Sequence, residues 1–207
     1  MNPVLCVLCG KINATTKEHV PPRSIFPKPR PNDLITVPAC FNCNNDSSQT
    51  DESFKVHLGL HVWQDEQAMR TLNHNTKLRT DVISKMKPAK VLDSNNEILG
   101  QVHLSLWDSE AHSITIEKCI KGLYFHHYGK ILCSRAQIKT HYFQSLTPEL
   151  VKISESWSVN SIGNGDFVYK FTSAANESTH MSVWLFQFFG AHWAGGQTKF
   201  ELVGNNA

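Results

Sequence analysis

The stretch Cys6-Val7-Leu8-Cys9, Glu18-His19-Val20-Pro21, Cys40-Phe41-Asn42-Cys43-Asn44 decides how this chain is read. Each Cys-x-x-Cys turn brings two thiols within reach of one ion, and two turns fill a tetrahedral zinc shell. Disulfides are the competing use. The first residues carry no charged head followed by an apolar run, the mark of an export signal, and such pairs in a reducing compartment favour metal. The expectation is a structural Zn²⁺ on Cys6, Cys9, Cys40 and Cys43. Residues 10–39 separate the pairs, where a plain zinc ribbon uses about 15–20 residues. Something is threaded between the two knuckles, and Glu18-His19 lies inside it.

The combined pattern resembles the HNH endonucleases of the ββα-metal type, in the branch stapled by four cysteines. The resemblance covers residues 4 to 56 and rests on the acidic residue plus His with Pro21 two positions on, Asp33-Leu34, and Asn44 directly after the last cysteine. It implies that His19 is the general base that activates water, and that Glu18 and Asn44 hold one divalent cation, Mg²⁺ or Mn²⁺, against a scissile phosphate. The residue types suit those roles. A neutral imidazole accepts a proton near pH 7, and oxygen ligands suit a hard cation that keeps several waters. The zinc is then structural, because four thiolates leave no position for water.

The chain departs from the family in two places. Ser47 and Ser48 stand where Lys or His often follows the asparagine, and the segment from Leu34 to Cys40 is longer than the common form. Asn32 or Asp33 takes the place of the middle asparagine, which normally pins the hairpin loop. If 43–52 is one helix, Asn44, Ser48, Asp51 and Glu52 share a face, and Asp51 or Glu52 supplies a further ligand. The competing reading, which is favoured, is that Ser48-Gln49-Thr50-Asp51 caps the next helix.

Net charge is only +2, so composition alone does not announce a nucleic-acid binder. The distribution is more telling. Residues 10–32 hold Lys11, Lys17, Arg23, Lys28 and Arg30 against Glu18 alone, and residues 67–90 hold six bases against Asp81. Positive charge in and just after the motif is what a phosphate backbone needs nearby. Lys17, Arg23, Lys28 and Arg30 are therefore the expected nucleic-acid contacts.

The fold class expected is α+β: a zinc-stapled ββα-metal module over 1–65, then an α+β region over 66–207. Thr15–Val20 and Leu34–Val37 read as a strand pair. The prolines of 21–32 make an extended, helix-free loop, and Cys43 opens a helix. Residues 51–72 read as a helix, with His57 and His61 as helix-face residues and not ligands, and 76–87 as a basic helix ended by Pro88. Ala89–Leu92 and Ile98–Leu104 flank a turn signal and read as a hairpin. Ile114–His127 is an amphipathic helix with Gly129 at its C-cap, and Thr147-Pro148 starts another. His126-His127 falls at a helix C-terminus, where the dipole favours a cation. Residues 131–138 and 141–143 read as extended. Phe167, Tyr169, Phe171 and Trp184, Phe186, Phe188 alternate as half-buried strands. Ala194-Gly195-Gly196 reads as a turn before a last strand at Lys199–Val203. Cys119 and Cys133 read as buried free thiols.

The function expected is metal-dependent hydrolysis of phosphodiester bonds in DNA, with RNA kept open. The alternatives are a zinc module that binds nucleic acid without cutting and a partner subunit without activity. No stretch is long and apolar enough to span a bilayer, so the expected compartment is the cytoplasm. The region 66–207 would choose the substrate, mediate homo-oligomerisation or bind a protein partner. Restriction, antiphage defence, mobile-element processing and repair all suit such an enzyme.

Overall fold

Between the cysteine pairs the chain makes an antiparallel hairpin, β1 (Thr16–Val20) against β2 (Ile35–Ala39), with Glu18 opposite Val37 and His19 opposite Thr36. Helix α1 (Phe41–Asp46) follows at once, and α2 (Ser48–His61) follows that. The computed structural model describes residues 4–61, 66, 87–104, 108–132, 134–176 and 178–201. The strand, strand, helix order is as expected, and 43–52 is two helices and not one, in line with the favoured reading of a new helix beginning at Ser48. The chain turns at Ser47, whose carbonyl accepts from the Thr50 hydroxyl (2.8 Å) and the Asp51 N–H (2.8 Å), while its own hydroxyl donates to the Asn44 carbonyl (3.1 Å). Short polar side chains compete with the helix ladder in this way. Asn44, Ser48, Asp51 and Glu52 therefore do not line one helical face. The proline-rich loop is also not free of helix. Arg23–Ile25 form a 3₁₀ turn, because Ile25 and Phe26 are drawn into the core and fold the loop inward.

Strands β3 (Lys87–Leu92) and β4 (Ile98–Leu104) form the expected hairpin. Its turn is closed by the Asp93 carboxylate, which accepts from the Asn95 and Glu97 N–H groups (both 2.8 Å). The basic helix expected at 76–87 lies outside the described residues except for Lys87, which belongs to β3, as does Pro88. Cys133 also lies outside them, as do 62–65 and 67–72 of the expected 51–72 helix.

Helix α3 (Ser109–Tyr128) begins one turn earlier than its apolar periodicity suggests. Asp108 is the cause: its Oδ1 accepts the Ala111 N–H (2.9 Å), an N-cap. Gly129 ends the helix at φ 63°, the left-handed cap. Helix α4 (Pro148–Ser154) starts as read, with the Thr147 hydroxyl accepting the Leu150 N–H (3.3 Å). The remaining strands are β5 (Gln137–Phe143), β6 (Ser158–Ile162), β7 (Phe167–Ala175), β8 (Thr179–Phe188) and β9 (His192–Glu201). They form one antiparallel sheet in the order β5-β9-β8-β7-β6.

Ala194-Gly195-Gly196 is not a turn; it lies inside β9. The turn falls earlier, at Phe189 and Gly190, both at positive φ. The two glycines are there for close approach. A Cβ on Gly196 would sit 2.7 Å from Ile120 Cδ1 and 2.5 Å from the Lys139 carbonyl oxygen, so α3 lies directly on the sheet at this point.

Two stripes of α3 are buried. Ile116, Ile120 and Leu123 join Phe167, Trp184, Phe186 and Phe188 of the sheet in the main core. Thr115, Lys118 and Gly122 form the other stripe, at helical spacing. On that side a Cβ on Gly122 would collide with Val20 of β1. Helix α2 is tied to the start of α3 by Asp108, which accepts from the Ser53 hydroxyl (2.7 Å) and donates its N–H to His57 Nε2 (3.2 Å). His57 is thus a packing residue. Val7, Val20, Val37 and Phe54 share one core with residues far beyond position 65.

His127 lies in the last turn of α3, half-buried against Phe171, with Nε2 3.0 Å from the Tyr169 hydroxyl. Burial, with help from His126, lowers its pKa below the usual histidine value despite the helix dipole. The unfolded chain therefore takes the proton first. The stability this neutral histidine contributes is complete above about pH 6.5 and is lost as pH falls below it. Thermal melts should show Tm falling between pH 7 and 5, and His127→Gln should flatten that fall. An equal fall in the variant would assign the effect to other groups.

Candidate active site and metal centre

The alternation of β1 sends Glu18 and His19 to opposite faces. Glu18 points inward and is 5% exposed. Its Oε1 accepts the His19 N–H (3.1 Å) and lies 3.5 Å from the ammonium of Lys118 on α3. Its Oε2 is buried without a hydrogen-bond partner. The same ammonium donates to both oxygens of Asp51 (2.5 and 2.6 Å) and to the Ser47 hydroxyl (3.3 Å). Burial raises the pKa of Glu18 and of Asp51, against the opposing pull of Lys118. Asp51 is in the first turn of α2, but its carboxylate is held by Lys118.

Asn44 stands on α1 beside β1. Its amide nitrogen donates to the Thr16 hydroxyl (3.0 Å) and to the Lys17 carbonyl (3.2 Å), which fixes the amide against β1. His19 is half-buried on the outer face. Burial is the main reason its pKa falls below the usual histidine value, and the charges of Arg23, Arg30 and Lys118 lower it further. Lys17, Arg23, Lys28 and Arg30 are all exposed, and Arg30 Nε donates to the Arg23 carbonyl (3.2 Å).

Asp33 does not join this cluster. Both its oxygens accept the Gly163 N–H (3.2 and 3.1 Å), so it pins the hairpin loop to the β6–β7 turn. Asn32 and Ser48 are exposed.

The four cysteines do come together. The ligand atoms of Cys6, Cys9, Cys40 and Cys43 lie within 4.8 Å of one another. Cys6 and Cys40 are buried, Cys9 and Cys43 half-buried, and Cys40 is the N-cap residue of α1. Burial pushes the thiols of Cys6 and Cys43 up. Burial also opposes ionisation of Cys9, but hydrogen bonds from the backbone of Lys11 and Ile12 and from the Cys6 and Cys43 side chains outweigh it and bring its pKa to about 7. Such a cluster can hold a metal ion such as zinc, and soft thiolates in a tetrahedral set suit that ion. Loading it releases protons from the raised thiols.

No family model matches the chain, and neither curated proteins nor solved structures give a match.

Lys118 is the member of this centre that the sequence reading missed. The signal was present but faint. A lysine sits on a helical stripe otherwise made of small residues, Ala111, Thr115 and Gly122, and such a stripe is where another element comes close.

Proposed function

We propose that the chain is a divalent-cation-dependent endonuclease of the HNH, ββα-metal kind that hydrolyses phosphodiester bonds in DNA. One observation carries the reading. The β1–β2 hairpin runs straight into α1, the cysteine cluster staples the two together, and Asn44 of α1 is hydrogen-bonded to the strand that bears Glu18-His19.

The donor set fits a hard cation. Glu18 Oε2 is a buried carboxylate oxygen without a partner, and the Asn44 amide is held on β1 by its nitrogen, so its oxygen would be the ligand atom. When bound there, Mg²⁺ or Mn²⁺ supplies charge stabilisation for the phosphate and the leaving oxygen. His19 accepts the proton of the attacking water, and its lowered pKa keeps it neutral and able to do so at pH 7. Arg23 and Arg30 draw the phosphate backbone to the face on which His19 stands.

The second reading, a zinc module that binds nucleic acid without cutting, is favoured by one observation: the ion pair of Glu18 with Lys118. Supercoiled plasmid and single-stranded RNA, each with Mg²⁺ or Mn²⁺, separate the two. Nicking or linearisation by the wild type and not by His19→Ala supports the nuclease. Binding without cleavage on every substrate supports the module.

Replacing Arg23 or Arg30 with alanine should weaken DNA binding whatever the sequence, and should reduce the slope of log affinity against log salt by about 1. Titrations at several salt concentrations read this directly. An unchanged slope in both variants would remove this face from the interface.

A further inference from the structure

We infer that the ammonium of Lys118 is a built-in cation of the site: it holds Asp51 away from any external ion and leaves Glu18 a single oxygen with which to bind one. The inference rests on the reading of Glu18 as a cation ligand, and it makes Lys118 a positioning residue.

The geometry points there from three sides. Asp51 gives both oxygens to the ammonium, so it has little left for another cation. Glu18 gives one oxygen to the same ammonium and keeps Oε2 buried without a partner. Two carboxylates against one ammonium leave one negative charge unbalanced, and the buried, unpartnered oxygen marks where a further cation would balance it. A buried charge without a counter-charge is costly, so the cluster is complete only with an ion or a proton there.

The ammonium cannot easily withdraw. Helix α3 is closely packed against Val20 at Gly122 and against the sheet at Gly196. The Ser47 hydroxyl, which Lys118 reaches, also donates to the Asn44 carbonyl. The lysine thus links three elements of the site: the strand carrying Glu18, the helix carrying Asp51 and the turn that follows Asn44.

The test is Mn²⁺ binding to the zinc-loaded full chain, followed by electron paramagnetic resonance of the free ion. The wild type should bind one Mn²⁺. Lys118→Ala frees both carboxylates and opens space, and should bind a second Mn²⁺ or bind the first at least tenfold more tightly. Lys118→Ala with Asp51→Asn should lose that gain. Mn²⁺ should also raise the Tm of Lys118→Ala more than that of the wild type, a readout that needs no cleavage.

Equal stoichiometry and affinity in wild type and Lys118→Ala would overturn the inference and leave the nuclease reading in place. No Mn²⁺ on the wild type but a gain in Lys118→Ala would overturn the inference together with the cation-dependent reading, because Glu18 would then bind no external ion beside Lys118. No Mn²⁺ on either would overturn both. If Lys118→Ala does not fold at any Mn²⁺ concentration, the wild type decides: two ions per chain would overturn the inference, one would sustain it.

Discussion

His19→Ala is expected to lower plasmid cleavage by about 10²–10⁴-fold, the usual contribution of a positioned proton acceptor. Folding and DNA binding should survive. His19 is half-buried on the outer face of β1 and forms no part of the core, so the variant should melt within about 1 kcal/mol of the wild type. The charges expected to bind DNA, on Lys17, Arg23, Lys28 and Arg30, remain. The measurement is a cleavage time course beside a binding titration and a melt. Cleavage falling while binding and Tm stay fixed assigns His19 to the chemistry. Equal cleavage by both proteins would point to a contaminating nuclease and end the assignment. A fall of cleavage and Tm together would make His19 a structural residue.

Loss of the metal from the cysteine cluster should have the largest effect on the fold. Structural zinc in small modules contributes about 10–16 kcal/mol of binding free energy, against a stability of about 5–15 kcal/mol for a whole domain. The cluster lies at the open end of the hairpin, where Thr16 pairs with Ala39, and Val20 and Val37 of that hairpin are part of the main core. Cys40→Ser removes a ligand that also begins α1. It should lose its zinc and lower Tm by at least about 10 °C, since 1 kcal/mol moves Tm by about 2–4 °C in a chain of this size. Metal analysis and calorimetry, with and without a strong chelator, check it. One zinc per wild-type chain and none in the variant is the expected result. No zinc in the wild type, with a Tm that responds to reductant and ignores chelator, would restore the disulfide reading.

The hairpin, the helix after it and the cysteine cluster were legible because each has a local cause: the spacing of thiols, strand alternation, and caps such as Thr147 and Gly129. The strands at Phe167 and Trp184 were legible for the same reason, as rows of alternating aromatics. What was illegible depended on partners distant in the chain. Gly195-Gly196 reads as a turn from its own residues. Only the approach of α3 at Ile120 to Gly196, and of the Trp184 carbonyl of β8 to Gly195, shows that two missing side chains make room inside a strand. Asp51 reads as a helix cap or a metal ligand, and the lysine that holds it is 67 positions away. The inward fold of 21–32 escaped notice because prolines speak for extension, while the burial of Ile25 and Phe26 depends on a core formed elsewhere.

The contact at Gly122 limits how this chain can be divided. Residues 4–61 contain the whole recognisable motif, but the hairpin that carries it rests on a helix they do not include. Grafted onto another scaffold, they would take Glu18 and His19 along and leave their seat behind. Any transplant of the centre has to carry α3 with it, and the sheet beneath α3 as well, because Gly196 sets the depth at which that helix lies.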